Sequence, residues 1–274
     1  MKLISRLFGV LAVLFSVASA TAQEEGDSLS FEFTMDYPSK YIWRGIEVND
    51  DPVLQPGLSA AYGDFYLGFW GNYDLTDGGR EDNFSEYDWY GGYSTGLTEK
   101  LSIDLGFIYY YFPSTHGDSD TTEVYVGLAY DCLLSPYITA YYDVDEVNGF
   151  YVTAGIGHSF VLTEDEKLTL DLALSIGWGD EDYNNAYFQI DLDAFEEKFF
   201  DREISDPEAA NSDVGSGFND LTASAALSYA VNDSFSVYWS INFAELLDSD
   251  IERVVNALGD SDNTWTSVGM ALAF

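Results

Sequence analysis

The sequence predicts an all-β protein, an antiparallel up-and-down transmembrane β-barrel of about twelve strands. Three observations carry this. Apolar and polar residues alternate with period two over segments of eight to twelve residues, which gives ribbons with two unlike faces. The segments match the ~9–11 tilted residues that cross a bilayer, and exceed the five or six usual in a soluble sandwich. The links between them alternate between tight turns and mostly longer, acidic loops, as periplasmic turns and extracellular loops do in such barrels.

The chain is 274 residues long. Lys2 and Arg6 precede an apolar run from Leu7 to Val17, and small residues follow up to Ala20 and Ala22. This reads as a signal peptide over 1–22: the run is too short for a membrane helix, and the cleavage site is of the A-x-A kind. Residues 23–274 then form the barrel. Strands are expected at 29–37, 54–62, 65–74, 86–97, 100–112, 122–132, 136–145, 149–162, 167–178, 219–231, 234–244 and 264–274. In "LSIDLGFIYYYF", Leu101, Ile103, Leu105, Phe107 and Tyr109 share one face and Ser102, Asp104 and Gly106 the other. "LTLDLALSIGW" and "FSVYWSINF" repeat the pattern, with Leu168 to Trp178 and Phe235 to Phe243 as their apolar faces. The polar faces hold Gly, Ser, Thr, Asp and Tyr with almost no Lys or Arg, which suits a lumen better than a soluble surface.

Tight links fall at 63–64, 98–99, 133–135, 163–166 and 232–233. The others are 38–53, 75–85, 113–121, 146–148, 179–218 and 245–263, the last two being the long extracellular loops. Pro56 lies inside the second strand and cannot donate to a ladder, so a late start or a bulge is expected there. Residues 187–195 alternate weakly and read as a strand extension or an extra wall strand. Within 245–263, "DSDIERVVNALGD" reads as a short capped helix with Ile251, Val254, Val255 and Leu258 on one face.

Outward aromatics fall into two belts, among them Tyr37, Trp89 and Phe150 at the loop ends and Tyr62, Phe65, Tyr130, Phe160 and Phe274 at the turn ends. Such girdles mark two membrane interfaces. Phe274 on an alternating last strand also resembles the signal read by the barrel assembly machinery. The expected location is therefore the outer membrane of a Gram-negative-type bacterium, with outer-membrane lipid and lipopolysaccharide as neighbours. The single cysteine, Cys132, excludes an intramolecular disulfide framework and is expected as a half-buried, inert thiol.

Lys and Arg number 10 against 48 Asp and Glu, for a formal net charge of −38. Such a chain repels nucleic acid and attracts cations. The 17% aromatic content argues against disorder.

The stretches "DYPSKYIWRG" and "PVLQPGLSAAYGDFYLGFWGNYD" resemble the TorF-type outer-membrane porin family. Asp36-Tyr37, Arg44-Gly45, the Pro52 to Gln55 step and "DFYLGFWGN" carry the likeness, over roughly the first quarter of the chain. The resemblance implies an outer-membrane barrel of porin type and supplies no binding residues.

With this parity the lumen receives Glu32, Asp36, Asp74, Asp88, Asp104, Glu123, Asp131, Asp143, Asp145 and Asp171, against Lys40 and Arg44. Asp104, Glu123, Asp143 and Asp171 are the candidate selectivity residues, with Arg44 as a lone positive counterpoint. Rings of carboxylate favour cations by field alone. Inward rings include Tyr110, Tyr125 and Tyr141, which either stack on solutes or fill space and bond the acids. The function read from this is a porin-like channel for small solutes, preferring cations; the alternative is a plugged, non-conducting structural or adhesive barrel. No cofactor is expected. Acidic tracts at 118–120, 180–182, 191–193, 248–250 and 260–262 suit Ca²⁺ or Mg²⁺, though none has EF-hand spacing. No enzyme is expected, because His116 and His158 are the only histidines and neither faces a serine suitably.

Overall fold

The computed structural model describes residues 28–76, 84–113, 120–188, 214–256 and 261–274. Twelve strands form its wall: β1 (Leu29–Pro38), β4 (Val53–Tyr62), β5 (Phe65–Asp74), β6 (Phe84–Gly96), β7 (Leu101–Tyr111), β8 (Thr121–Tyr130), β9 (Tyr137–Asp143), β10 (Phe150–Val161), β11 (Leu168–Gly179), β12 (Gly217–Ala230), β13 (Phe235–Leu246) and β14 (Asp262–Ala273). Each pairs antiparallel with the next, and β1 closes the barrel on β14 from Glu32↔Ala273 to Pro38↔Ser267. Closure satisfies the backbone groups an open edge would leave in lipid. Two short strands, β2 (Tyr41–Trp43) and β3 (Ile46–Asn49), pair only with each other. Among the described residues two helices, α1 (Glu181–Phe188) and α2 (Ser249–Asn256), stand at the loop end. Among the described residues no helix is long and apolar enough to cross a membrane.

Alternation sets which face looks where. Leu58, Leu67, Leu105, Val124, Val126, Leu172, Ile241 and Val268 lie exposed on the outside, while Tyr66, Trp70, Tyr90, Tyr125, Ser175 and Thr222 are buried inside. Tyr37, Trp89 and Phe150 are exposed at one rim, and Tyr62, Phe65, Tyr130, Phe160 and Phe274 at the other. Phe274 lies one residue beyond β14, yet it exchanges both backbone hydrogen bonds with Phe31 and stacks on its ring at 5.6 Å.

Several expectations change. The β4–β5 ladder skips Gln55 and Pro56 but resumes in the same register, from Leu54↔Tyr73 to Gly57↔Trp70. There is no late start and no bulge at Pro56; Gln55 Nε2 donates to Asn72 Oδ1 at 2.9 Å across the gap. Asp131 and Asp145, expected in the lumen, are exposed, because β8 and β9 end early. The Asp143 carboxylate accepts the Asp145 and Val147 amides at 2.9 and 3.1 Å, folding a local turn. After β8, a turn closed by Ser135 N donating to Cys132 O at 3.1 Å leaves Cys132 exposed rather than half-buried. Tyr187 and Phe188 are helical, not strand; 189–195, the signal segment 1–22, His116 and Leu258 lie outside the described residues.

If the outer face meets hydrocarbon, Val126→Arg should cost about 2–4 kcal/mol of folding free energy in phospholipid vesicles. Urea titration of the reconstituted barrel measures it, and an unchanged midpoint would contradict the assigned faces.

Candidate functional site

The first loop does not leave the barrel. β2 and β3 form a hairpin joined by the two residues Arg44 and Gly45, both with left-handed backbones, φ 47° and 82°. Two positive φ values in a two-residue turn define type I′, which Asn-Gly would satisfy with least strain. Glycine is required at 45 on two counts: its φ, and a Cβ there would stand 2.7 Å from Asp220 Cβ and 2.8 Å from Leu246 Cδ2. The hairpin tip thus abuts the wall at β12 and β13. Arg44 is less expected, since a left-handed backbone costs a residue with a Cβ about 1–2 kcal/mol.

The Arg44 side chain offsets that cost. Its Nη1 donates to Glu123 Oε1 at 2.8 Å and its Nη2 to Glu123 Oε2 at 2.7 Å, a two-pronged pair. Nη1 also donates to the Tyr183 hydroxyl at 3.2 Å. The guanidinium lies 4.2 to 4.6 Å from the ring centres of Tyr151, Trp43 and Tyr141, within cation–π range. The arginine and glutamate side chains are 11% and 1% exposed, so the carboxylate is shut off from bulk solvent and the guanidinium nearly so. Burial alone would lower the Arg44 pKa, but Glu123 beside it raises it further, and the guanidinium stays charged. Burial pushes the Tyr183 phenol well up, so it remains protonated.

The rest of the hairpin is held by side chains. The Tyr41 hydroxyl donates to Glu86 Oε2 at 2.9 Å, and its ring packs on Trp70. Trp43 meets Tyr110 and Tyr187. Lys40 Nζ reaches Glu47 at 2.5 Å and Asn263 at 3.2 Å, and Asn49 donates to Asp74 at 2.9 Å. α1 covers the hairpin, capped by Asp180 Oδ1, which accepts the Tyr183 amide at 2.9 Å. α2 is the expected short helix, capped by Asp248 Oδ1, with Ile251 and Val254 buried against Phe188, Val214 and Leu246. Two of the acidic tracts thus supply helix caps; 191–193 and most of 118–120 lie outside the described residues.

Beneath the hairpin the lumen keeps a cavity of about 380 Å³. Arg44, Asp88, Tyr110, Tyr141, Asp36 and Asp220 contribute to its lining. The sequence candidates are distributed as follows. Glu123 and Tyr110 join Arg44, with the Tyr110 hydroxyl donating to Glu123 at 2.9 Å. Tyr141 faces the guanidinium. Asp104 accepts the Tyr66 hydroxyl at 2.8 Å, and Tyr66 in turn bonds Tyr125. Asp143 accepts Thr121 Oγ1 at 2.6 Å, and Asp171 accepts Ser159, Ser228 and Thr169 at 2.5, 2.7 and 3.1 Å. These three acids are buried and tied to hydroxyls of the wall. The tyrosines lie flat because glycine faces them: a Cβ at Gly92 or Gly106 would come within 2.5 Å of the Tyr66 or Tyr125 hydroxyl. His158 packs edge-on against Phe160, while Ser159 points inward to Asp171.

Sequence reasoning missed the hairpin itself, Tyr183, Glu86 and Asp220. The available signal was the Arg-Gly pair in "YIWRGIEV", a glycine set between two short apolar-rich stretches.

A family model described as a bacterial protein of unknown function (Gcw_chp) matches residues 23–252, and the chain belongs to that family. Its description is not that of the TorF-type porins. No curated protein matches the chain. Among solved structures, the COG4313 outer membrane channel from Pseudomonas putida F1 is 9% identical, covering 93% of this chain and 97% of that one, with a TM-score of 0.52. The NanC porin is 10% identical, covering 88% of this chain and 98% of that one, with a TM-score of 0.50. The KdgM porin is 12% identical, covering 89% of this chain and 99% of that one, at 0.49. At these identities the likeness to the first two is one of fold alone, a closed antiparallel β-barrel.

Breaking a buried ion pair by removing one partner costs about 3–5 kcal/mol. The hairpin can yield locally before the wall does, so Arg44→Ala should speed amide hydrogen exchange over 41–49 by a factor of roughly a hundred or more. Exchange in β7 and β8 should stay unchanged. Equal protection of the hairpin in both proteins would contradict the pinning role.

Proposed function

We propose that the chain is an outer-membrane, porin-like channel for small solutes, cation-preferring, whose path runs through the acidic, tyrosine-lined lumen and narrows at Arg44 and Glu123. One observation carries this most strongly. A cavity of about 380 Å³, lined by aromatic rings with Glu32, Asp36, Asp88 and Asp220 among them, lies inside a twelve-stranded wall, and it ends at a hairpin that shares no ladder with that wall. Displacing the hairpin breaks side-chain contacts and leaves the barrel's backbone bonds intact. The field in the path is set by Glu32, Asp36, Asp88, Asp104, Asp171 and Asp220, because Lys40 and Arg44 are already engaged by Glu47 and Glu123. Carboxylates in a narrow polar tunnel favour cations.

In this reading the outer face meets outer-membrane lipid, and Phe274 serves recognition by the barrel assembly machinery. Ca²⁺ or Mg²⁺ would bridge the acidic loops to lipopolysaccharide, and no catalysis is assigned. The second reading, a plugged and non-conducting barrel, is favoured by the buried Arg44–Glu123 pair and the covering helices.

Planar bilayers separate the two. The wild type should show a small conductance with a cation-biased reversal potential. Replacing 40–50 by a short Gly-Ser linker should enlarge the conductance severalfold, since the widest obstruction goes with it. Silence of the shortened protein at every voltage would overturn the channel reading. Asp104→Asn with Asp171→Asn should reduce the cation bias, and an unchanged reversal potential would mean these acids lie off the path.

A further inference from the structure

We infer that the Glu123 cage is a binding site for a free guanidinium-bearing solute, and that Arg44 is its tethered resident. The chemistry is that of a recognition site. A carboxylate fork meets the flat edge of the cation, and the Tyr141, Tyr151 and Trp43 rings stand at 4.6, 4.2 and 4.5 Å from its centre. Guanidinium suits this surround because it is planar and weakly hydrated, whereas a compact ammonium cannot fill the fork. A divalent metal does not suit it, because hard cations need several oxygens and here aromatic carbons make the walls.

The occupant is poorly placed for a purely structural pin. It sits at a left-handed position, φ 47°, on a hairpin whose strands pair only with each other. The cavity below reaches the same group: Arg44, Tyr141 and Tyr151 line it, and about 380 Å³ falls within the range of small-molecule pockets. The cavity also holds Asp88, whose Oδ1 meets no hydrogen-bond donor among the described residues. A solute with a second hydrogen-bond-donating end would find an unpartnered carboxyl oxygen there. Agmatine, a guanidinium and an ammonium joined by a short chain, offers a donor group to each acid.

Competition follows from the tether. A group held on a short loop acts at an effective concentration of order millimolar, so a free solute displaces it only at comparable concentration. Removing the resident side chain leaves Glu123 buried without its cation, which favours capture of a replacement.

The inference rests on the channel reading for how solute arrives, but binding is measured without conduction. The full chain, purified in detergent, is titrated calorimetrically with agmatine and with the neutral analogue butylurea. Arg44→Ala and the bulkier Arg44→Gln should each take up agmatine saturably, at about tenfold lower concentration than the wild type. Adding Glu123→Gln to either should abolish uptake, and butylurea should not bind. Heat-modifiable electrophoretic mobility reports that each barrel is folded. Folded variants with no saturable heat, or heat that survives Glu123→Gln, would overturn the inference. Agmatine binding by a protein that never conducts would leave the site standing and sink the channel reading alone.

Discussion

The lumen is organised around one buried charge pair. Arg44 reaches across the barrel to Glu123 with both ends of its guanidinium, and with both groups this buried each charge depends on the other. Part of the loop end is arranged around that bond. It offsets a strained turn, draws Trp43 onto Tyr110 and Tyr187, and presses Gly45 against Asp220 and Leu246, where no side chain would fit. Without it, three aromatic faces and a carboxylate would enclose an empty, charged hole.

The wall obeys a separate and more local rule. In hydrocarbon every backbone donor needs a partner, so the strands must close, and one face of each must be apolar. That requirement is written residue by residue, which is why the twelve segments and their faces were legible in the alternation of Leu101 to Tyr109 or Leu168 to Trp178. The early ends of β8 and β9 were less legible. A turn built by the Asp143 carboxylate on two following amides competes with the ladder through hydrogen bonds that periodicity does not register.

The hairpin was illegible for a different reason. Its strands have three and four residues, too few to display a period, and its turn carries Arg-Gly where Asn-Gly would announce it. Arg44 and Glu123 were each singled out in the sequence, one as a lone cation and one as a lumen acid. Their meeting depends on a separation of 79 residues and on a loop folding inward, which no local pattern encodes. Of the residues that carried the porin resemblance, Arg44-Gly45 make the turn and Trp70 packs under Tyr41, while within the wall Gln55 bridges the gap at Pro56 and Asp36 accepts the Tyr238 hydroxyl at 2.6 Å.

A porin-type wall with a pinned inner hairpin makes the state of one guanidinium the central quantity. The most direct measurement is nitrogen-15 NMR of the arginine side chains in the reconstituted barrel, with Arg44 assigned by its loss in Arg44→Lys. The account predicts Arg44 guanidinium protons that exchange with water far more slowly than those of Arg253, whose side chain is 53% exposed, and that shift on Glu123→Gln. Arg44 protons exchanging as fast as those of Arg253 would contradict a hairpin held inside the barrel.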